Sequence, residues 1–195
     1  MRRVALALAA MTLALLLASG VAWAVNKIGT DGSDTLRGTN KADNLLAKGG
    51  NDKLFGLAGR DNLLGGSGKD MVFGGNERRL SGGDKNLVGG SGNDEILGGL
   101  DVDNILGEEG NDLVADGPDG DFATDTLSAG DGNDVVEVFT DPASKDLVSC
   151  GDGFDRVFAN RKDVVAPDCE RVADRGSEFD ALYESIPQSF WEGLP

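Results

Sequence analysis

The chain has no histidine, one tyrosine, two tryptophans and two cysteines among its 195 residues. Without histidine, a Ser/His/Asp triad, Cys/His nucleophilic catalysis and the usual histidine-containing zinc sites are all excluded. Aromatic residues make up only 6% of the chain while glycine occurs 30 times. Glycine gives up much backbone entropy on folding and buries no side chain, so an ordinary globular core is not what this composition builds. Positive charge is also scarce, with 18 Lys and Arg against 34 Asp and Glu and a formal net charge of −16. Nucleic acid and anionic membrane surfaces are poor partners for such a chain. Its self-repulsion opposes a compact state unless cations offset it.

The one long apolar run opens the chain. In MRRVALALAAMTLALLLASGVAWA, Arg2 and Arg3 precede an uncharged stretch that ends in Ala22-Trp23-Ala24, a small-x-small cleavage site. Residues 1–24 read as a Sec-type signal peptide; an uncleaved membrane anchor is the alternative reading. With cleavage, the expectation is a mature chain free outside the cytoplasm, with no stable membrane insertion. Cys150 and Cys169, in an exported chain, suggest one disulfide.

Against these absences stands a repeat. Asp34, Asp43, Asp52, Asp61 and Asp70 follow one another at nine-residue spacing, each trailed two residues later by an aliphatic: Leu36, Leu45, Leu54, Leu63 and Val72. Later rows such as GGSGNDEIL (89–97), GGLDVDNIL (98–106), GEEGNDLVA (107–115), AGDGNDVVE (129–137) and CGDGFDRVF (150–158) restate the unit as GGxGxDxUx, with U aliphatic. Aspartate is a common turn former, but turn preference does not impose a phase of nine over five rows. The six-residue turn gathers backbone carbonyls around glycines, and the aspartate that closes it adds a carboxylate. All-oxygen donors in a flexible loop suit Ca²⁺ better than Mg²⁺.

These rows resemble the RTX (repeats-in-toxin) calcium-binding nonapeptide family. The resemblance implies an all-β, right-handed parallel β-roll in which two nonapeptides make one coil and turns eighteen residues apart share an edge and sandwich several Ca²⁺ ions. The same-edge pairs expected are Asp34 with Asp52, Asp52 with Asp70, Asp43 with Asp61, and Asp94 with Asp112. The candidate metal ligands are Asp34, Asp43, Asp52, Asp61, Asp70, Asp94, Asp103, Asp112, Asp125 and Asp134. Position eight of each row should point inward, giving thin files of Leu, Val and Ile that no coil could bury alone.

The roll is expected over 25–158, with irregular rows at 74–88, 116–124 and 138–149. Glu77-Arg78-Arg79 interrupts the first of these, so a missing or altered site is expected there, with metal binding best before Gly74 and between Gly89 and Ala115. The second holds Asp116, Asp119 and Asp121 ahead of Asp125 and reads either as a solvated acidic loop or as an extra calcium loop. Residues 159–195 form a C-terminal cap and tail, tethered by the Cys150–Cys169 disulfide. Ser177 could cap a short helix over 178–186 whose Phe179, Leu182, Tyr183 and Ile186 share one face. That face either covers the end of the solenoid or, with Phe190 and Trp191, docks a surface or protein partner.

The expected function is a secreted, non-enzymatic calcium-binding repeat protein that folds on Ca²⁺. The alternative is an adhesin or cell-envelope scaffold stiffened by Ca²⁺. A β-helical polysaccharide lyase or hydrolase is a third reading, disfavoured because the phased aspartates are assigned to metal and no basic cluster suits acidic sugars.

Overall fold

The computed structural model describes residues 24–76, 86–100, 102–117, 123–138 and 144–174. The first eight strands are β1 (Asn26–Ile28), β2 (Thr35–Arg37), β3 (Asn44–Gly49), β4 (Lys53–Leu57), β5 (Asn62–Ser67), β6 (Met71–Asn76), β7 (Asn86–Ser91) and β8 (Glu95–Leu100). The next eight are β9 (Asn104–Glu109), β10 (Leu113–Ala115), β11 (Thr126–Gly132), β12 (Val135–Glu137), β13 (Leu147–Gly153), β14 (Arg156–Ala159), β15 (Val164–Val165) and β16 (Arg171–Asp174). No helix occurs among the described residues, and the expected terminal helix at 178–186 lies outside them.

Odd-numbered strands form one eight-stranded sheet and even-numbered strands another, each in sequence order and parallel throughout. The chain therefore winds as a flattened parallel solenoid, one strand per nonapeptide and two per coil. Registers bring like positions together: Leu45 lies beside Leu63 in one sheet, and Leu54 beside Val72 in the other. The register holds across the irregular row, where Leu63 pairs with Leu87 although twenty-four residues separate them.

Position eight points inward as expected. Leu45, Leu54, Leu63, Val72, Leu87, Ile96, Ile105, Val114, Leu127, Val136 and Val157 are all buried in a single core file shared by the two sheets. A buried Leu, Ile or Val contributes about 1.5–3 kcal/mol, and here each touches its copies in the coils above and below. Position one joins this core where it carries an apolar side chain: Ala47, Ala129, Val138, Cys150 and Ala159 are buried in the same cluster. Most strands are also longer than the last three positions of a row, because the ladder continues into the first residues of the next nonapeptide. In β5 this extension pairs Gly66 and Ser67 with Gly90 and Ser91 of β7.

Two outer features follow from the same register. Position seven of the odd sheet carries an asparagine ladder in which Asn44 donates to Asn26, Asn86 to Asn62 and Asn104 to Asn86. Position nine of the even sheet places Phe55 against Phe73, stacked with centroids 5.4 Å apart, and continues into Leu97 and Ala115 as a second apolar cluster. At the C-terminal end the Cys150–Cys169 disulfide ties the last coils together, the Cα atoms 5.2 Å apart and Cys150 facing the core. Closing a loop of nineteen residues contributes about 3 kcal/mol in the chain-entropy model.

Candidate metal-binding edges

All ten aspartates singled out from the sequence close turns, and the solenoid sorts them onto two edges. Turns leading from the odd to the even sheet carry Asp34, Asp52, Asp70, Asp94, Asp112 and Asp134; those leading back carry Asp43, Asp61, Asp103 and Asp125. Asp43, Asp52, Asp61, Asp70, Asp94, Asp103, Asp112, Asp125 and Asp134 are each at most 2% exposed. The four expected same-edge pairs are formed by a repeated bond in which the aspartate N–H of one coil donates to the carboxylate Oδ1 of the next. Asp34 bonds Asp52 at 2.7 Å, while Asp52 to Asp70, Asp43 to Asp61 and Asp94 to Asp112 are each 2.8 Å.

The same bond crosses the irregular rows, joining Asp70 to Asp94, Asp103 to Asp125 and Asp112 to Asp134. It also recruits residues that the sequence reading did not single out. Asp125 donates to Asp146, Asp134 to Asp155, Asp146 to Asp163, and Asp155 to the carboxylate of Glu170. Their signal was legible, since Asp146-Leu147-Val148, Asp155-Arg156-Val157, Asp163-Val164-Val165 and Glu170-Arg171-Val172 each repeat an acidic residue two places before an aliphatic. In the acidic segment after Ala115, Asp119 and Asp121 lie outside the described residues. Asp125 is wholly buried, and Asp116 occupies position one, 1% exposed, accepting a bond from the N–H of Gly117 at 2.7 Å.

With Oδ1 committed to the preceding coil, the other oxygen remains to be placed. Along the first edge, Oδ2 of Asp52, Asp70, Asp94, Asp112, Asp134 and Asp155 is buried without a hydrogen-bond partner. A buried carboxylate oxygen so placed carries a large desolvation cost. Asp34, at the head of this file, differs because its Oδ2 accepts from the N–H and hydroxyl of Thr30. Thr39 caps Oδ2 of Asp43 in the same way on the second edge. The unpartnered oxygens also continue past Ala115 to Asp134 and Asp155, so they are not confined to the rows expected to bind best.

The unpartnered oxygens of Asp70, Asp94 and Asp112 face the glycine that opens their own row. A β-carbon built on Gly65 would meet Asp70 Oδ2 at 2.5 Å and the Gly89 carbonyl oxygen at 2.6 Å; one on Gly107 would meet Asp112 Oδ2 at 2.5 Å and the Ala129 oxygen at 2.1 Å. Glycine thus leaves a small cradle where a carboxylate and a carbonyl of the next coil converge. Along the outer part of the turn, position four holds the coils close. Gly68 has φ +125°, and a β-carbon there would stand 1.9 Å from the Gly50 carbonyl oxygen. Among the described residues no three acidic or cysteine side chains converge, so further donors at these turns have to be backbone carbonyls.

Burial governs the carboxylates' proton affinity. It raises Asp94 and Asp134 to about 6 and Asp112 to about 7, and lifts Asp70 and Asp155, in each case against the opposing effect of a backbone hydrogen bond. On the second edge burial raises Asp61 to about 6. Asp34 moves the other way, held low by its backbone bond from Thr30.

A family model of the RTX calcium-binding nonapeptide repeat matches four stretches, residues 28–63, 46–78, 81–114 and 119–137, which together cover more than half of the chain. The chain belongs to this RTX repeat family. No curated protein and no solved structure matches it. Membership implies Ca²⁺ as the metal, and the residues present fit it. The RTX turns offer hard oxygen donors only, with carboxylate oxygens that lack a protein partner and glycine cradles that keep β-carbons away from them.

Proposed function

We propose that this RTX repeat protein is exported and non-enzymatic, and that its solenoid folds by taking up several Ca²⁺ ions along the edges. The six buried, unpartnered Oδ2 atoms of Asp52, Asp70, Asp94, Asp112, Asp134 and Asp155 carry this reading. A file of carboxylates stacked at the strand spacing, about 4.8 Å, destabilises the roll when ionised and metal-free. Bound Ca²⁺ supplies the positive charge that offsets it. Asp Oδ2 and carbonyls of the flanking turns would hold the ions, while Oδ1 keeps successive coils in register. Binding free energy thereby becomes folding free energy. The leader at 1–24, the disulfide and millimolar external Ca²⁺ are mutually consistent, since an unfolded chain suits Sec export and Ca²⁺ would complete the fold outside.

The test is a Ca²⁺ titration of residues 25–195, stripped with EDTA and followed by far-UV circular dichroism and calorimetry, with Mg²⁺ as control. A Ca²⁺-specific gain of β signal in the range of about 10⁻⁴ to 10⁻³ M supports the reading. An unchanged, folded spectrum without Ca²⁺ uptake overturns it.

One observation favours an interaction scaffold as the second reading. Phe55, Leu57, Ala58, Phe73 and Leu97 line a cavity of about 230 Å³ on the outer face of the even sheet. A Phe55→Ser chain that keeps its Ca²⁺ response but loses envelope association would favour the scaffold role.

A further inference from the structure

The repeated bond between coils begins one residue after the small-x-small motif. In the regular rows each aspartate N–H donates to the carboxylate eighteen residues on, and the first donor on the second edge is the N–H of Val25, 2.5 Å from Asp43 Oδ1. Val25 therefore occupies the position-six place of a row whose earlier residues belong to the apolar leader. Asp43 is 1% exposed, and among the described residues no lysine or arginine pairs with it. Its carboxylate accepts from neutral donors, the N–H of Val25 and the N–H and hydroxyl of Thr39. Ala24, on the other side of the peptide bond, is exposed.

We propose that the Ala24–Val25 bond is a processing site and that the α-ammonium freed at Val25 becomes the cationic partner of Asp43, closing the first coil with an ion pair. This rests on the export reading above. A leader peptidase that accepts small residues at the first and third places before the bond hydrolyses it: the C–N bond breaks, water gives its hydroxyl to the Ala24 carbonyl carbon, and Val25 nitrogen gains two protons, one from that water and one from solvent. An N-terminal amine is mostly protonated at neutral pH. A charge-assisted bond is roughly twice as strong as a neutral one, so the mature chain holds its first coil more firmly than the precursor. One added residue converts the ammonium back to a neutral amide and removes the pair.

The experiment has two arms. Full-length protein is expressed with its leader, and the exported product is read by N-terminal sequencing; Val25 as first residue is expected, and any other start overturns the proposal. Residues 25–195 and 24–195 are then each made with a native amine and unfolded in urea with Ca²⁺ present, at low salt and at 1 M NaCl. The unfolding constant of the 24–195 chain should be roughly fivefold to tenfold larger at low salt, and the gap should narrow in 1 M NaCl. Asp43→Asn in both chains should reduce the gap to within about twofold. Equal stability of the two unmutated chains at low salt overturns the ion pair, and needs no variant of Asp43 to fold. Ca²⁺ titration of both chains separates the readings, since a normal response with equal stability rejects the ion pair alone.

Discussion

The two edges of the solenoid are built from the same nonapeptide yet differ in regularity. The first seven turns from the odd to the even sheet are six residues long with glycine at position four: Gly32, Gly50, Gly68, Gly92, Gly110, Gly132 and Gly153; the last, between β15 and β16, is a residue shorter and has none. The returning edge has Lys41 at that place in its first turn, and all the irregular rows, beginning at Gly74, Asp116 and Val138, fall on it. At position one the first edge carries Gly or a small residue from Gly29 to Cys150, whereas the second places Asp116 and Val138 there. One edge thus keeps glycine at position four through seven successive turns, and the other absorbs added residues without disturbing the strand register. The difference shows that stacking of strands and gathering of ligands are separable demands. Ladder pairing requires only that Leu63 reach Leu87, while a cation site requires every turn on its edge to have the same shape.

The largest effect should come from breaking that shape. In Gly110→Ala the new β-carbon would stand 1.4 Å from the Gly92 carbonyl oxygen, at φ +143°. Neither backbone can yield without shifting a coil, so the Ca²⁺-induced β signal should be lost at the concentrations that fold the parent chain. Circular dichroism at matched Ca²⁺ checks this.

A smaller effect should separate the edges. Asp94→Asn with Asp112→Asn keeps the carbonyl that accepts the neighbouring N–H but removes two charges from the first edge; Asp103→Asn with Asp125→Asn does the same on the second. The Ca²⁺ midpoint should rise by roughly tenfold or more for the first pair and clearly less for the second, given how strongly affinity follows ligand charge. Equal shifts would erase the functional distinction between the edges.

The smallest effect concerns pH. Because Asp94, Asp112 and Asp134 have raised values of about 6 to 7, the metal-free fold binds more protons than the unfolded chain between about pH 4 and pH 7. Its stability should be greatest near pH 4 and fall as pH rises through 6 to 7. Ca²⁺ affinity should run oppositely, increasing as the carboxylates ionise. Urea melts of the EDTA-treated chain at pH 4.5 and 7.5 test the first statement, and calorimetry at pH 6 and 7.5 the second. The Asp94/Asp112 asparagine pair should flatten both dependences more than the Asp103/Asp125 pair.

Within the regular rows, local chemistry was enough to read the architecture. Leu36, Leu45, Leu54 and Leu63 recur in phase with Asp34, Asp43, Asp52 and Asp61, and a strand's alternation then forces the aliphatic inward and the carboxylate to the turn. Pairs eighteen residues apart followed by counting once the RTX resemblance set two nonapeptides to a coil. Counting failed where a turn changes length, so the contacts of Asp70 with Asp94, Asp112 with Asp134 and Asp155 with Glu170 were not anticipated. Thr30 and Thr39 could not be recognised as caps either, because their role depends on where the fold places each carboxylate's second oxygen.

The sequence by itself determined the period, the inward file and the oxygen-rich turns, since each is fixed by residue type and spacing along a few residues of chain. Only the tertiary structure decided that the irregular rows share one edge, that the other edge carries a run of unpartnered carboxylate oxygens, and that Val25 donates to Asp43. These depend on the hydrogen-bond register between coils, which is set by strands meeting in space and is blind to the number of residues between them.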